Sequence, residues 1–189
     1  MKEQILQQVT AKLLRMVFVS ASIMSWELHS LDITSAFLQG NDIGREVFVR
    51  PPSEIMEEGK IWKLQRCTYG LNDAPREWYN RVEQELLRLG GKKNLYDDAL
   101  FQWNYKDGSL CGILVTQVDD FVYYVYLLCL LLFCTMKWHE NVVEKLICIF
   151  KISKREKGSF RYIGLNVVQT GKEIFVDQNS YINGLKPVA

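Results

Sequence analysis

The segment from Ile113 to Trp138, "ILVTQVDDFVYYVYLLCLLLFCTMKW", places two adjacent aspartates between two apolar runs. Burying an ionised carboxylate without a partner is costly, and two side by side repel each other as well. In a continuing strand, Asp119 and Asp120 would point to opposite faces. A turn between "GILVTQV" and "FVYYVY" would instead present both at a hairpin tip. The run that follows, Phe121 to Met136, carries no charge over 16 residues, just short of the roughly 17–25 that cross a bilayer. Two readings stay open for it, a buried strand or helix and a membrane-associated segment spanning 121–136.

The rest of the chain bounds these choices. Its 189 residues suit a single domain. Apolar residues make up 48% and charged residues 24%, so a core is affordable and the chain is of ordinary globular type. A formal charge of +1 gives no global attraction to nucleic acid, which leaves only local patches such as Lys60, Lys63 and Arg66 for a phosphate backbone. Such a charge run also suits a plain solvated edge. The five cysteines form no CxxC pair, which fits a reduced intracellular chain, cytoplasmic or nuclear. Lys2, Glu3 and Arg15 interrupt the N-terminus, so no signal peptide is expected. Ile5, Leu6, Val9, Leu13 and Leu14 recur at the spacing of an amphipathic helix.

"WELHSLDITSAF" reads as a strand running into a turn or short helix at Thr34–Gly40. "REVFVRPP" and "KIWKL" are short strand candidates. The spacing predicts a helix over Ala74–Leu89, with Asp73 as N-cap, Pro75 in the first turn, and Trp78, Tyr79, Val82, Leu86 and Leu89 as its apolar stripe. Gly90 and Gly91 stop it. "LFQW", "CGILVTQV" and "FVYYVY" read as strands, the first two joined by a turn at Asp107–Gly108. Asn141–Phe150 reads as helix, and "FRYIGLNVVQ" and "EIFVDQ" as a hairpin around Thr170–Lys172. Mixed strands and helices with late hairpins define an α+β fold with a mainly antiparallel sheet.

Three aspartates, Asp32, Asp119 and Asp120, sit in strand-like apolar settings. Clustered carboxylates become stable when a divalent cation neutralises them, and Mg2+ or Mn2+ takes such oxygen ligands together with substrate phosphates. A solvated turn is the plainer account of a "DD" pair. Other chemistries lack their residues. The two histidines, His29 and His139, form no zinc spacing with cysteine, and no GxGxxG or GxxxxGK[ST] occurs. No serine or cysteine has a histidine placed for a triad. His29 is expected as a partly exposed strand residue, and His139 as a surface residue opening a helix.

"LDITSAFLQGND", "VFVRPP", "IWKLQRCTYGLNDAPREWY", "DDALFQW", "QVDDF", "FRYIGLNV" and "DQNSYINGL" occur in an order that resembles the reverse transcriptase of Ty1/copia-type retrotransposons, from about Leu13 to Leu185. The resemblance implies a polymerase palm, with an antiparallel sheet packed on helices, and an RNA-directed DNA polymerase that works through Mg2+ or Mn2+. It implies that Asp32, Asp119 and Asp120 bind the metals, and that template-primer and dNTPs are the substrates. Phe37 stands where related polymerases place an aromatic against a ribose 2′-hydroxyl; a core aromatic is the equal alternative. Tyr69, Gly70, Leu71, Pro75, Arg76 and Trp78 match the segment that the resemblance places beside nucleotide and template, and Asp73 falls within it.

This sequence departs from the family at Gln117, where an aromatic is usual before "VDD", and at Asp73, where glutamine is usual. Only 31 residues precede Asp32, so the fingers are expected to be missing. Little room after Asp120 leads to the same expectation for a complete thumb and a ribonuclease H domain. The integrase of the parent polyprotein is expected elsewhere, and the chain is expected to be inactive alone. The match stops at about Val122 and resumes after Trp138. The alternatives are a non-catalytic nucleic-acid-binding or membrane-associated remnant.

Overall fold

The computed structural model describes residues 11–56, 58–125 and 140–185. Among the described residues the chain gathers into two compact units, one of residues 35–84 and one of residues 11–34 and 85–185. Both are mixtures of helix and antiparallel strand.

In the second unit, helix α1 (Ala11–Met24) is followed by strand β1 (Glu27–Ile33). The apolar spacing read from Ile5 to Leu14 continues in this helix through Val17, Phe18 and Ala21. A six-stranded sheet has the order β4-β5-β6-β7-β1-β8. Its members are β4 (Lys92–Lys93), β5 (Leu100–Asn104), β6 (Leu110–Gln117), β7 (Asp120–Val125) and β8 (Ile152–Lys157), around β1. A second sheet has the order β11-β10-β9, from β9 (Ser159–Tyr162), β10 (Leu165–Thr170) and β11 (Glu173–Asp177). All pairings in both are antiparallel.

Alternation along β1 decides the faces. Leu28, Ser30 and Asp32 share one face and lie opposite Tyr124, Val122 and Asp120 of β7. That face meets one apolar cluster, in which Leu14, Val17, Phe18 and Ala21 of α1 join Leu28, Val115, Val122 and Tyr124 of the large sheet and Phe160, Tyr162 and Val167 of the small one. Each buried Val, Leu or Phe here is worth about 1.5–3 kcal/mol. Trp26 stacks on Tyr124 with ring centroids 4.4 Å apart. The Gln169 side chain ties β10 to the start of β1: its Oε1 accepts from the Leu28 N–H at 2.9 Å and its Nε2 donates to the Trp26 carbonyl at 2.7 Å.

Two expectations need correction in this unit, and one strand carried none. The stretch "FRYIGLNVVQ" is two strands, because Ile163 and Gly164 both adopt positive φ (50° and 75°) and form a two-residue hairpin turn. "ISKREK" is a strand that its charge pattern concealed. His29 is buried, 8% exposed, because it stacks on Tyr123 (5.0 Å between centroids) and its Nε2 lies 3.2 Å from Glu27. The expected helix after Trp138 is a π turn at Glu140–Glu144 running into α3 (Lys145–Ile149). His139 and most of the apolar run lie outside the described residues. Among those described, no helix is long and apolar enough to cross a membrane.

In the first unit, a 3-10 turn at Ala36–Gln39 follows Ser35, and β2 (Phe48–Val49) pairs with β3 (Trp62–Lys63). Both strands are shorter than expected. Helix α2 (Ala74–Arg88) opens in this unit. It ends as predicted: the Gly90 N–H bonds the Leu87 carbonyl and the Gly91 N–H the Leu86 carbonyl, both at 2.9 Å, with Gly90 at φ 83°. This double bond with a left-handed glycine satisfies the last carbonyls of the helix. The short helix α4 (Asn179–Ile182) closes the described chain.

Candidate functional site

Asp32 and Asp120 lie directly opposite each other on β1 and β7. Asp119 does not continue the strand. Gln117 pairs with Asp120, which leaves Val118 and Asp119 as a two-residue turn. The Asp119 carbonyl accepts a hydrogen bond from the Ile33 N–H at 2.8 Å, so the turn is fastened to β1 one residue beyond Asp32. The pair therefore stands at a hairpin tip, the second of the two options its sequence allowed.

The electrostatics follow from that placement. Asp120 is pushed up from 3.8 to about 6, first by burial, then by the charges of Asp119 and Asp32; only the Ile163 N–H, donating to its carboxylate, opposes this. Two β-branched residues border the cluster with left-handed backbones, Val118 at φ 49° and Ile163 at φ 50°. Such residues are uncommon there and gather where a backbone is over-determined by its surroundings. Tyr162 lies beside Asp120, which together with burial pushes its phenol far above the ordinary range. Its hydroxyl has no hydrogen-bond partner among the described residues.

One contact had no signal in the sequence. The Ser153 hydroxyl on β8 donates to the Asp32 carboxylate and lies 3.0 Å from the Asp32 carbonyl oxygen. The ladder between β1 and β8 is irregular at this point, pairing Asp32 with Lys154 and Ile33 with Ile152. Ser153 is the extra residue of a β-bulge.

Three carboxylates are hard oxygen donors. Among the described residues, no group of three or more His, Cys, Asp or Glu side chains is arranged to hold a metal ion by itself. Asp32 and Asp120 are the residues that would hold a magnesium ion, which takes one or two carboxylates and fills its other positions with water and phosphate.

The remaining sequence-predicted residues lie in the other unit. Phe37 is in the 3-10 turn and packs against Tyr69, with ring centroids 4.6 Å apart at 50°. Gly70 adopts φ 93° in the turn that leads through Leu71 to α2, where the Ala74 N–H bonds the Leu71 carbonyl. Pro75 occupies the first turn of α2. Asp73 opens the helix, its carbonyl accepting from the Glu77 N–H at 3.0 Å. Its carboxylate is gripped by Arg45, Nε at 2.9 Å and Nη2 at 3.1 Å. That fork holds Asp73 below the usual carboxylate range. Arg76 pairs with Glu77 at 3.1 Å. The basic patch is neutralised in part: Lys63 pairs with Glu46, and Arg66 lies 3.6 Å from Asp42.

Residues 6–186 match the family described as reverse transcriptase (RNA-dependent DNA polymerase). The chain belongs to that family. It is 31% identical over 110 residues to the Retrovirus-related Pol polyprotein from transposon RE1 of Arabidopsis thaliana, which covers 57% of this chain and 7% of that polyprotein. The polyprotein from transposon TNT 1-94 of Nicotiana tabacum is 28% identical over the same length, 57% of this chain and 8% of the relative. The Transposon Ty1-BL Gag-Pol polyprotein of Saccharomyces cerevisiae is 30% identical over 71 residues, 38% and 4%. The chain thus matches under a tenth of the length of these curated relatives.

Proposed function

We propose that this chain is palm sequence of a copia-type retrotransposon polymerase, and that Asp32, Asp119 and Asp120 hold the divalent cations for nucleotidyl transfer. The observation that carries the reading is the register of β1 against β7, with Asp32 opposite Asp120 and Asp119 in the turn. Carboxylates this crowded, one of them raised to about 6, have most to gain from a cation.

Mg2+ or Mn2+, when bound, would supply charge neutralisation and lower the pKa of an attacking hydroxyl. The chain's own residues would do the rest. Asp32 and Asp120 offer oxygens from adjacent strands, and the Ile33 N–H keeps Asp119 beside them. The substrates would be an RNA or DNA template-primer and dNTPs. Tyr69, Gly70, Leu71, Asp73, Pro75 and Arg76 would border the nucleotide, with Phe37 packed on Tyr69. Arg45 and Arg76, the two cations that act on Asp73, are each engaged by a carboxylate. We therefore expect the isolated chain to bind metal without extending a primer.

The test is Mn2+ titration of the purified chain by electron paramagnetic resonance, beside a primer-extension assay on an RNA template. Binding that Asp120→Asn and Asp119→Ala each weaken at least about tenfold supports the reading. Binding equal in all three proteins, or none in the parent, sinks it. Extension that Asp119→Ala abolishes would keep the metal site and overturn the expected inactivity.

A further inference from the structure

We infer that Ser153 is a positioning residue for Asp32, holding its carboxylate in the one orientation from which it faces Asp120. The inference rests on the metal reading above for its consequence, and on the β-bulge for its geometry.

In a regular ladder, the residue preceding Lys154 would point to the opposite face from Lys154 and from Asp32. The irregularity between Asp32 and Ile33 removes that constraint, and bulges commonly re-aim a side chain next to a functional site. Ser153 uses the freedom to turn its hydroxyl onto Asp32. It has one proton for two acceptors, the carbonyl and the carboxylate, and an ionised carboxylate is the stronger of the two. Asp120 and Asp119 repel the Asp32 carboxylate, so without a donor it would swing away from them. Ser153 opposes that swing. Asp120 has the corresponding donor in the Ile163 N–H, so each of the two facing carboxylates has one local hydrogen bond. Ser153 itself is exposed, and removing its hydroxyl leaves no cavity.

The full chain, Ser153→Ala and Ser153→Thr are compared by two measurements. Three-bond couplings in the metal-free protein report the Asp32 χ1 angle. One rotamer in the parent, averaging in Ser153→Ala, and one rotamer again in Ser153→Thr are expected. Averaged couplings in the parent, or a fixed rotamer that survives Ser153→Ala, overturn the inference. Mn2+ affinity should fall about tenfold or more in Ser153→Ala, the usual loss when a group that orients a ligand is removed, and recover in Ser153→Thr. Equal Mn2+ affinity in the parent and Ser153→Ala also overturns it. If the parent takes no Mn2+, the metal reading fails, while the couplings still decide what Ser153 does.

Discussion

Asp120 and Asp73 are both carboxylates drawn partly out of water, and the chain treats them in opposite ways. Asp73 receives the two-pronged grip of Arg45 and is held low. Asp120 receives two more carboxylates and is pushed up to about 6. The first arrangement is complete within the protein. The second has no protein cation among the causes acting on it, so its charge is balanced only when something positive arrives. A site that is electrostatically unfinished is a candidate for ligand binding, and a finished one is structural until shown otherwise.

The largest expected effect lies at the unfinished site. Asp120 binds its proton more tightly folded than unfolded, about 6 against 3.8. Below 3.8 both states are protonated, and the folded protein has its full relative stability. That stability is lost as pH rises through about 6. Raising a carboxylate from 3.8 to about 6 would correspond to about 3 kcal/mol, and half-burial with solvent screening reduces this to about 1–2 kcal/mol. Urea unfolding of the metal-free chain should therefore show stability falling between pH 4 and 6, with Asp120→Asn flattening that segment. Added Mg2+ should recover the loss near neutrality. Identical pH profiles for the two proteins would mean that the crowding at Asp120 is not felt.

A smaller effect is expected at the turn. Val118 is β-branched with φ 49°, a conformation that costs about 1–3 kcal/mol. Glycine relieves it and returns about 0.5–1 kcal/mol of that gain through unfolded-state entropy. Val118→Gly should raise the urea midpoint by the equivalent of about 1 kcal/mol while weakening Mn2+ binding, because the turn that holds Asp119 loosens. A lowered midpoint would show that the left-handed backbone at Val118 carries no strain.

Much of this site was legible in the sequence, and the illegible part has a common cause. The aspartates announced themselves because charges inside apolar runs are conspicuous, and the hairpin required only local alternation. The helix end at Gly90–Gly91 was equally local. Ser153 was hidden because its meaning depends on a pairing across 121 residues, and "ISKREK" has one apolar residue to mark it as a strand. Its charges suit an edge strand, where they discourage further pairing, but in sequence they look like a loop. The turn at Ile163–Gly164 was missed because isoleucine rarely takes positive φ, so "YIGL" reads as continuous strand. The basic patch looked available because the partners of Lys63 and Arg66 are Glu46 and Asp42, some 17 and 24 residues away.

The smallest expected effect tests the finished half of the comparison. The Arg45 side chain is about half exposed, and the Asp73 side chain mostly covered. A depressed carboxylate contributes stability above its ordinary value, and the contribution is lost as pH falls through the folded one. Arg45→Ala should therefore return Asp73 toward the ordinary carboxylate range in an NMR titration. It should cost a small amount of thermal stability at neutral pH and none at low pH, and high salt should shrink the difference, because an exposed pair is screened. The comparison sharpens if the Asp73 titration moves while the fold barely notices. It breaks if Asp73 keeps its depressed value without Arg45, since the low value would then come from the start of α2, and the guanidinium would not be its counter-charge.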